Sequence, residues 1–376
     1  MCTPPTHPSF EGIPLSALTL DQFGPFPTEA EEIWRYSHIN RFEPGRYGTI
    51  EQVRSVVDAP ASVGRSGDSA AVGHVLPDDT DAFTRLARAG VTQPIVLDVA
   101  AGVSVPEPVR LTHHVEVDAA VAVGRVVIRL APNADLTVIE RVHSTDVDAL
   151  YLPMVELELG EGARLRYVTV QELGPRVWQV AMTASRTARD ASLRSMAVSL
   201  GGRYARSRID ASMVGPGAYN ELLAVYFGED EQVHDFRTVQ RHSAPRTTSQ
   251  LLFKGAVEDR ATSVYSGLIR IEANGKGSVA NQANRNLILS ADATAESVPN
   301  LEIENNDVRC SHASAVGPID EDERYYVESR GVSPEAAERL IVLGFFGDLL
   351  QRIPDPVLAE QLGDAVRAKF ERRSRR

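Results

Sequence analysis

The chain reads as a mainly β protein. A long run of short strands, 94–317, lies between an N-terminal mixed and mostly helical region, 1–93, and a C-terminal helical domain, 318–376. Three observations predict this. From Pro94 onward, β-rich runs such as PIVLDVAAGVSV, VRLTHHVEVD, RVVIRL and DLTVIERV follow one another with only turn residues between them. Within that stretch an alanine recurs at the turns, at Ala134, Ala163, Ala191 and Ala218, in steps of 29, 28 and 27 residues. A near-constant step with the same turn chemistry at the same phase marks a solenoid, and here the repeating unit is all strand. After Gly317 apolar residues fall at helical spacing to the end. The repeat favours a β-helix, with an evenly turned sandwich as the competing arrangement.

Residues 1–30 are Pro-rich and aperiodic, and are expected to drape over the surface. EAEEIWRYSHINRF, 29–42, predicts a helix anchored by Ile33, Trp34 and Tyr36. Residues 59–75 are rich in Ala, Gly and Ser and read as loop. A short helix over 78–90 has acids first, Arg85 and Arg88 late, and Gly90 as its stop, the charge order a helix dipole prefers. Strand texture continues through LLAVYFG, HDFRTVQRH, TSQLLFKGAV, SVYSGLIRIE and NLILSA. ANGKGSVANQANRN, 273–286, reads as polar turns with Asn ladders at coil corners.

Beyond Gly317, Asp320 with Glu323 forms a capping-box pattern and Gly331 a stop. Ser333 and Pro334 open a second helix, whose Leu340, Leu343, Phe346, Leu350 and Ile353 recur at helical spacing. Pro354 and Pro356 end it. A third helix follows from about Val357, with Leu358, Leu362, Val366 and Phe370 on one face. Such stripes either pack on the strand domain or form a docking surface, and packing is the commoner use.

Composition narrows the function. With 376 residues, 43% hydrophobic and 24% charged, the chain is long enough for two or three globular units. A net charge of −12 argues against nucleic acid or an anionic membrane as partner. The basic tail ERRSRR reads as a solvated helix end. Two cysteines, Cys2 and Cys310, do not make a disulfide framework. MCTPPTHPSFEG lacks the pattern of a signal peptide, so a reducing, cytoplasmic setting is expected. No phosphate loop is present: GKGS, 275–278, has Arg270 where the upstream Gly belongs. G-x-S-x-G, H-E-x-x-H and C-x-x-C are also missing. His113 and His114 face opposite ways in a strand, and His234 and His242 read as structural. This is not the residue set of a self-sufficient enzyme.

The stretch 300–331 stands apart. It places Cys310 two residues from His312, just before the change to helices. In extended backbone Val308, Cys310 and His312 share one face, with the Cys310 and His312 Cβ atoms roughly 7 Å apart. A thiolate and a neutral imidazole suit iron, zinc or copper, but two ligands do not close a metal site. A buried Cys beside a hydrogen-bonded His is the plainer reading.

These residues resemble the SufD branch of the SufB/SufD family, subunits of the SUF iron–sulfur cluster assembly scaffold. PNLEIENNDVRCSHASAVG matches that family's P-x-L-E-I and D-V-x-C-S-H-G-A-x-V-G, followed by the aromatic pair Tyr325–Tyr326 and S-R-G at 329–331. HSAPRTTSQLLFKG, NRNLILSADA, LELGEGARLRYVTVQE and EEIWRYS are similar to further family motifs in the same order. The resemblance implies a right-handed parallel β-helix core with helical regions at both ends. It implies a SufB-like partner bound through the β-helix and a SufC-like ATPase docked through the C-terminal helices, with Tyr325, Tyr326, Arg330, Leu340, Leu343, Phe346 and Leu350 as the docking candidates.

By the same resemblance, a nascent iron–sulfur cluster or iron forms at the SufB–SufD interface, where His312 faces a SufB cysteine and Cys310 shares its face. ATPase activity belongs to the SufC-like partner, so this chain is expected to be a scaffold subunit and not an enzyme. A reduced flavin is associated with the family's complex, and no flavin motif is found here. A homodimer of the isolated chain stays open. SufB-like chains are longer, richer in cysteine and carry E-H-E-A-T-x-S in place of C-S-H-A-S-A-V, which favours SufD over its paralogue. One departure is Ala313 for the family's Gly, which would cost about 1 kcal/mol if that position needs a positive φ. The rival class is a β-helix enzyme acting on polysaccharide, which needs a carboxylate-lined groove.

Overall fold

A computed structural model describes residues 19–76, 81–91 and 93–373. Cys2, the Pro-rich start, Asp78 and Asp79, and the end of the basic tail lie outside the described residues.

The N-terminal region contributes β1 (Thr49–Gln52), β2 (Arg54–Asp58) and β3 (Gly64–Ser66). The strand domain begins with β4 (Ile95–Val99), β5 (Val109–Val115), β6 (Ala120–Leu130), β7 (Asp135–Ser144), β8 (Ala149–Leu159) and β9 (Arg164–Glu172). It continues with β10 (Trp178–Thr187), β11 (Ser192–Ser199), β12 (Tyr204–Met213), β13 (Tyr219–Gly228) and β14 (Val233–His242). It ends with β15 (Thr248–Val257), β16 (Thr262–Ile271), β17 (Val279–Ile288), β18 (Thr294–Ile303) and β19 (Arg309–Gly317).

Even-numbered strands from β4 to β18 line up in one sheet and odd-numbered strands from β5 to β19 in the other. Neighbours are parallel, as in the run Tyr204, Val233, Thr262. The chain therefore alternates between two sheets, one coil after another, which is a parallel β-solenoid and not a sandwich. Its right-handed sense is the one crossover geometry favours. At the first end β2 and β3 pair antiparallel with β5 and β4.

The alanine period has a direct cause. Ala134, Ala163, Ala191 and Ala218 are all fully buried. Each follows a residue in the left-handed region: Asn133 (φ 59°), Gly162 (66°), Asp190 (54°) and Gly217 (74°). Asn, Asp and Gly are the residues that tolerate this conformation. The N–H of each left-handed residue reaches a carbonyl of the next coil: Asn133 to Glu161 (2.8 Å), Gly162 to Arg189 (2.8 Å) and Asp190 to Pro216 (3.0 Å). Corners stacked this closely leave room for a methyl group and little more. The column continues past Ala218 at Arg246 (φ 54°) and Gly277 (72°), with Thr247 and Ser278 in the alanine position, their hydroxyls 2.8 Å apart.

The helix expected over 29–42 is replaced by two 3-10 turns, Glu32–Trp34 and Ile39–Arg41, with Tyr36 (φ 63°) and His38 (56°) left-handed between them. Trp34 is buried as expected, but Ile33 and Tyr36 are exposed. The reason lies far along the chain. Arg206 Nη2 donates to the Ile33 carbonyl (2.6 Å) and its guanidinium lies 3.8 Å from the Trp34 ring centroid. Arg237 Nη2 donates to the Arg35 carbonyl (2.7 Å). Carbonyls engaged from the sheet pull the segment out of helical register. Region 59–75, read as loop, carries β3 and a 3-10 turn, Ser69–Ala71. Helix α1 (Ala82–Ala89) is capped by Asp81 and ends at Gly90.

At the other end α2 (Glu321–Glu328) is capped by Asp320, α3 (Pro334–Leu350) by Ser333, and α4 (Pro356–Arg373) completes the domain. Val342, Phe346, Leu349, Leu358, Leu362, Val366 and Phe370 pack on Val168, Val198, Val225 and Phe227, on the outer face of the odd-numbered sheet. The buried face of α3 runs through Ala337, Ile341, Val342, Phe346, Leu349 and Leu350. Leu340 falls outside it and is exposed, because its neighbours Ile341 and Val342 turn inward instead. Among the described residues, no helix is long and apolar enough to cross a membrane.

Candidate functional site

β18 and β19 form the last coil of the solenoid, and among the described residues each has a strand partner on one side only. β19 is mostly exposed and β18 is exposed or half-buried throughout. Two consecutive edge strands with unpaired backbone groups are a template for strand addition by another chain.

β19 carries the predicted pair. Cys310 stacks on Ala280 and His312 on Gln282. Ala280 and Gln282 are buried inward-facing residues, so Cys310 and His312 continue the inner row of the solenoid to its open end. Ser311 points outward and donates its hydroxyl to Asn281 Oδ1 (2.6 Å). The alternation read from the sequence is the one observed. Ala313 has no positive φ, so its replacement of Gly carries no strain.

The two side chains differ in setting. Cys310 is half-buried against Ile269, Ile271, Leu301 and Val308, and burial pushes its thiol pKa up. His312 is exposed. Among the described residues, no group of three or more His, Cys, Asp and Glu side chains is placed to hold a metal ion. A metal at this pair would therefore need ligands beyond those the described residues bring together.

The residues beneath the pair have no inward role in the sequence reading, although Asn284 and Asn286 open the motif NRNLILSADA. Gln282, Asn284 and Asn286 belong to β17 and face the interior, whereas the sequence places the 273–286 asparagines at a corner. Asn284 and Asn286 bond to one another (2.7 Å) and both bond to the Tyr226 hydroxyl (2.9 and 2.7 Å). Both polar atoms of the buried Gln282 amide lack a partner, one rung below His312. The clue in the sequence is N-x-N in a run of period 2, read as turn because Asn is common in turns.

The proposed docking residues divide into two sets. Tyr325 (73% exposed), Tyr326 (59%) and Leu340 (52%) face solvent, as does Arg330. Arg330 donates to the Tyr326 hydroxyl (3.2 Å) and lies over its ring. No residue of α2 is buried. Leu343 is half-buried, while Phe346 and Leu350 are covered by the sheet. Lys254, the lysine of the motif HSAPRTTSQLLFKG, is buried under α3 and donates to the Phe345 carbonyl (2.8 Å) and Asp348 (2.7 Å), tying that helix to β15.

His234 and His242 are structural. Both are fully buried, with pKa values pushed down to about 3 and about 4, chiefly by desolvation. A groove of about 710 Å³ at one corner contains two carboxylates. Asp98 is gripped by Arg129 (2.6 and 2.9 Å) and Glu158 faces Arg186 at 4.0 Å, so neither is a free acid or base poised for glycan chemistry.

Comparison with known proteins agrees with this architecture. Residues 113–345 match the family model described as SUF system FeS cluster assembly, SufBD core domain. An iron–sulfur cluster assembly SufBD family protein of Mycobacterium tuberculosis is 31% identical, over 92% of this chain and 89% of its own length. A second from Mycobacterium leprae is 29% identical over 95% of each chain. The iron–sulfur cluster assembly protein SufD of Bacillus subtilis is 28% identical over 78% of this chain and 68% of its own. With the solenoid core, its inner Cys310–His312 row and matches spanning nearly the whole chain, this protein belongs to the SufBD family of the SUF iron–sulfur cluster assembly system.

Proposed function

We propose that this chain is a SufD-like scaffold subunit that pairs with a SufB-like chain at its last coil, and that iron and sulfide are built into a cluster at that junction. The observation that carries the reading is the bare coil itself. Among the described residues it presents two unpaired strand edges and, on β19, a His and a Cys facing the open interior. A SufB-like chain adding its strands to β18 and β19 would satisfy the edges and bring the missing ligands to His312. In the absence of that partner, the same edges suit a second copy of this chain.

The two donors have different parts. His312 is accessible and serves as the first ligand. Cys310 must lose a proton that its half-buried setting retains, which an arriving cation promotes. Cys310 is therefore the later or weaker ligand. The unpartnered Gln282 amide lies where it can hydrogen-bond to His312 or to a group brought by the partner.

A SufC-like ATPase would dock on α2 and the start of α3, through Tyr325, Tyr326, Arg330 and Leu340. Phe346 and Leu350 pack on the sheet, and Lys254 ties the same helix to β15, so a partner docked on α3 would bear on the solenoid. The Bacillus subtilis relative supports the SufD branch, and a cytoplasmic setting follows from this role.

The test is anaerobic reconstitution with SufB-like and SufC-like proteins from the same source, measuring bound iron and acid-labile sulfide for wild type and His312→Ala. The variant complex should keep its mass and lose cluster yield by about tenfold or more. Cys310→Ser should lose less. Normal yield from His312→Ala would end the role assigned to that residue.

A further inference from the structure

A second site lies several coils before the open end, on the other sheet. Trp178, Tyr204 and Val233 stand in register at the starts of β10, β12 and β14. The turns that precede these strands and β16 bring Arg203, Glu231 and Arg260 around them, and Arg41 reaches the same opening from the 3-10 turn over 39–41. Together they line a cavity of about 280 Å³.

Its charges do not balance. The Glu231 carboxylate is matched by Arg260 at 2.7 Å. Arg41 and Arg203 form no ion pair with any described residue. Two guanidinium charges are thus left over at one opening, in a chain whose net charge is −12. Arg41, Arg203 and Arg260 are exposed, so the opening is a solvated, net positive rim above an apolar floor, which attracts an anion. The floor is rigid. Trp178 and Tyr204 stack with centroids 4.6 Å apart, Phe42 packs on Trp178 at 5.4 Å, and the Tyr204 hydroxyl bonds to the buried Asp235.

We propose that this cavity binds a small phosphorylated anion, with its phosphate held between Arg41 and Arg203 and Arg260 at the rim. The guanidinium fork matches phosphate oxygens in pairs, which an ammonium does not. The volume sits at the low end for ligand sites and suits a metabolite bearing one or two phosphates, not an inserted protein segment. Arg41 links the site to the N-terminal segment, so occupancy would also fasten that segment to the sheet. The site is independent of the cluster-assembly reading and stands or falls separately.

The full chain is titrated with inorganic phosphate and with pyrophosphate, against chloride at matched ionic strength, by calorimetry and intrinsic tryptophan fluorescence. Saturable binding is expected, with pyrophosphate the tighter at a Kd below about 1 mM. Arg41→Gln with Arg203→Gln should weaken it by about tenfold or more while leaving the circular dichroism unchanged. Glu231→Gln, which removes the facing carboxylate, should tighten it by about threefold. No saturable binding up to about 10 mM, unchanged affinity in the double variant, or weaker binding in Glu231→Gln would each overturn the proposal.

Discussion

Replacing Asp235 with asparagine removes one negative charge from a place that cannot be rehydrated. Asp235 has no exposed surface. It accepts from Arg206 Nη1, from Arg237 Nε (2.6 Å) and from the Tyr204 hydroxyl (3.2 Å). Arg206 and Arg237 are themselves buried, and each extends its other nitrogen to a carbonyl of the N-terminal segment. Asparagine keeps the shape but leaves two guanidiniums uncompensated. Breaking a buried pair in this way costs about 3–5 kcal/mol. For a domain this large each kcal/mol moves the melting temperature by about 2 °C, so a fall of roughly 6–10 °C is expected in a circular dichroism melt.

The loss should be local first, with faster amide exchange over 32–41 than in the sheet. Burial alone would raise the Asp235 pKa, but the Arg206 and Arg237 charges outweigh it and hold it below the ordinary carboxylate range. Its contribution is therefore complete at neutral pH and is lost as pH falls through that depressed value. Asp235→Asn should lack this acid-side loss. A variant that melts within about 1 °C of wild type, with unchanged exchange over 32–41, would refute the claim that this charge holds the segment.

Two further outcomes are expected. His234 and His242 stay neutral in the folded chain down to about 3 and about 4, but become protonated below 6.5 once unfolded. Stability should therefore be full above that value and fall as pH drops, by about 1.4 kcal/mol per pH unit for each histidine; a denaturation midpoint that stays flat from about pH 6.5 to pH 4.5 would contradict this. Tyr325→Ala with Arg330→Ala should leave chain stability within about 0.5 kcal/mol, since both side chains are solvent-facing, yet weaken binding of a SufC-like ATPase by about 2 kcal/mol, or roughly thirtyfold. Unchanged affinity by surface plasmon resonance would move the docking surface elsewhere.

The solenoid was legible because its corner geometry writes itself into the chain. A left-handed residue followed by a buried methyl must recur once per coil, and Ala134, Ala163, Ala191 and Ala218 record it. The period fades after Ala218 only because Thr247 and Ser278, joined by a hydrogen bond, fill the same position. The facing of Cys310 and His312 was legible from strand alternation alone. The segment 29–42 was not, because partners some two hundred positions away, Arg206 and Arg237, decide its shape. In α3, Leu340 has the right composition for the stripe but the wrong phase, and Ile341 and Val342 take the sheet-facing side. The bare state of the last coil could not be read either: nothing in the residues after Gly317 says whether the next helix covers the open end or leaves it.

Hydrogen exchange over 294–303 and 309–317, with and without a SufB-like partner, tests the pairing most directly. Strand addition to β18 and β19 should slow amides in both stretches and leave the earlier coils unchanged. Protection that falls elsewhere on the solenoid, with these two strands still exchanging freely, would contradict the placement of the interface at the last coil.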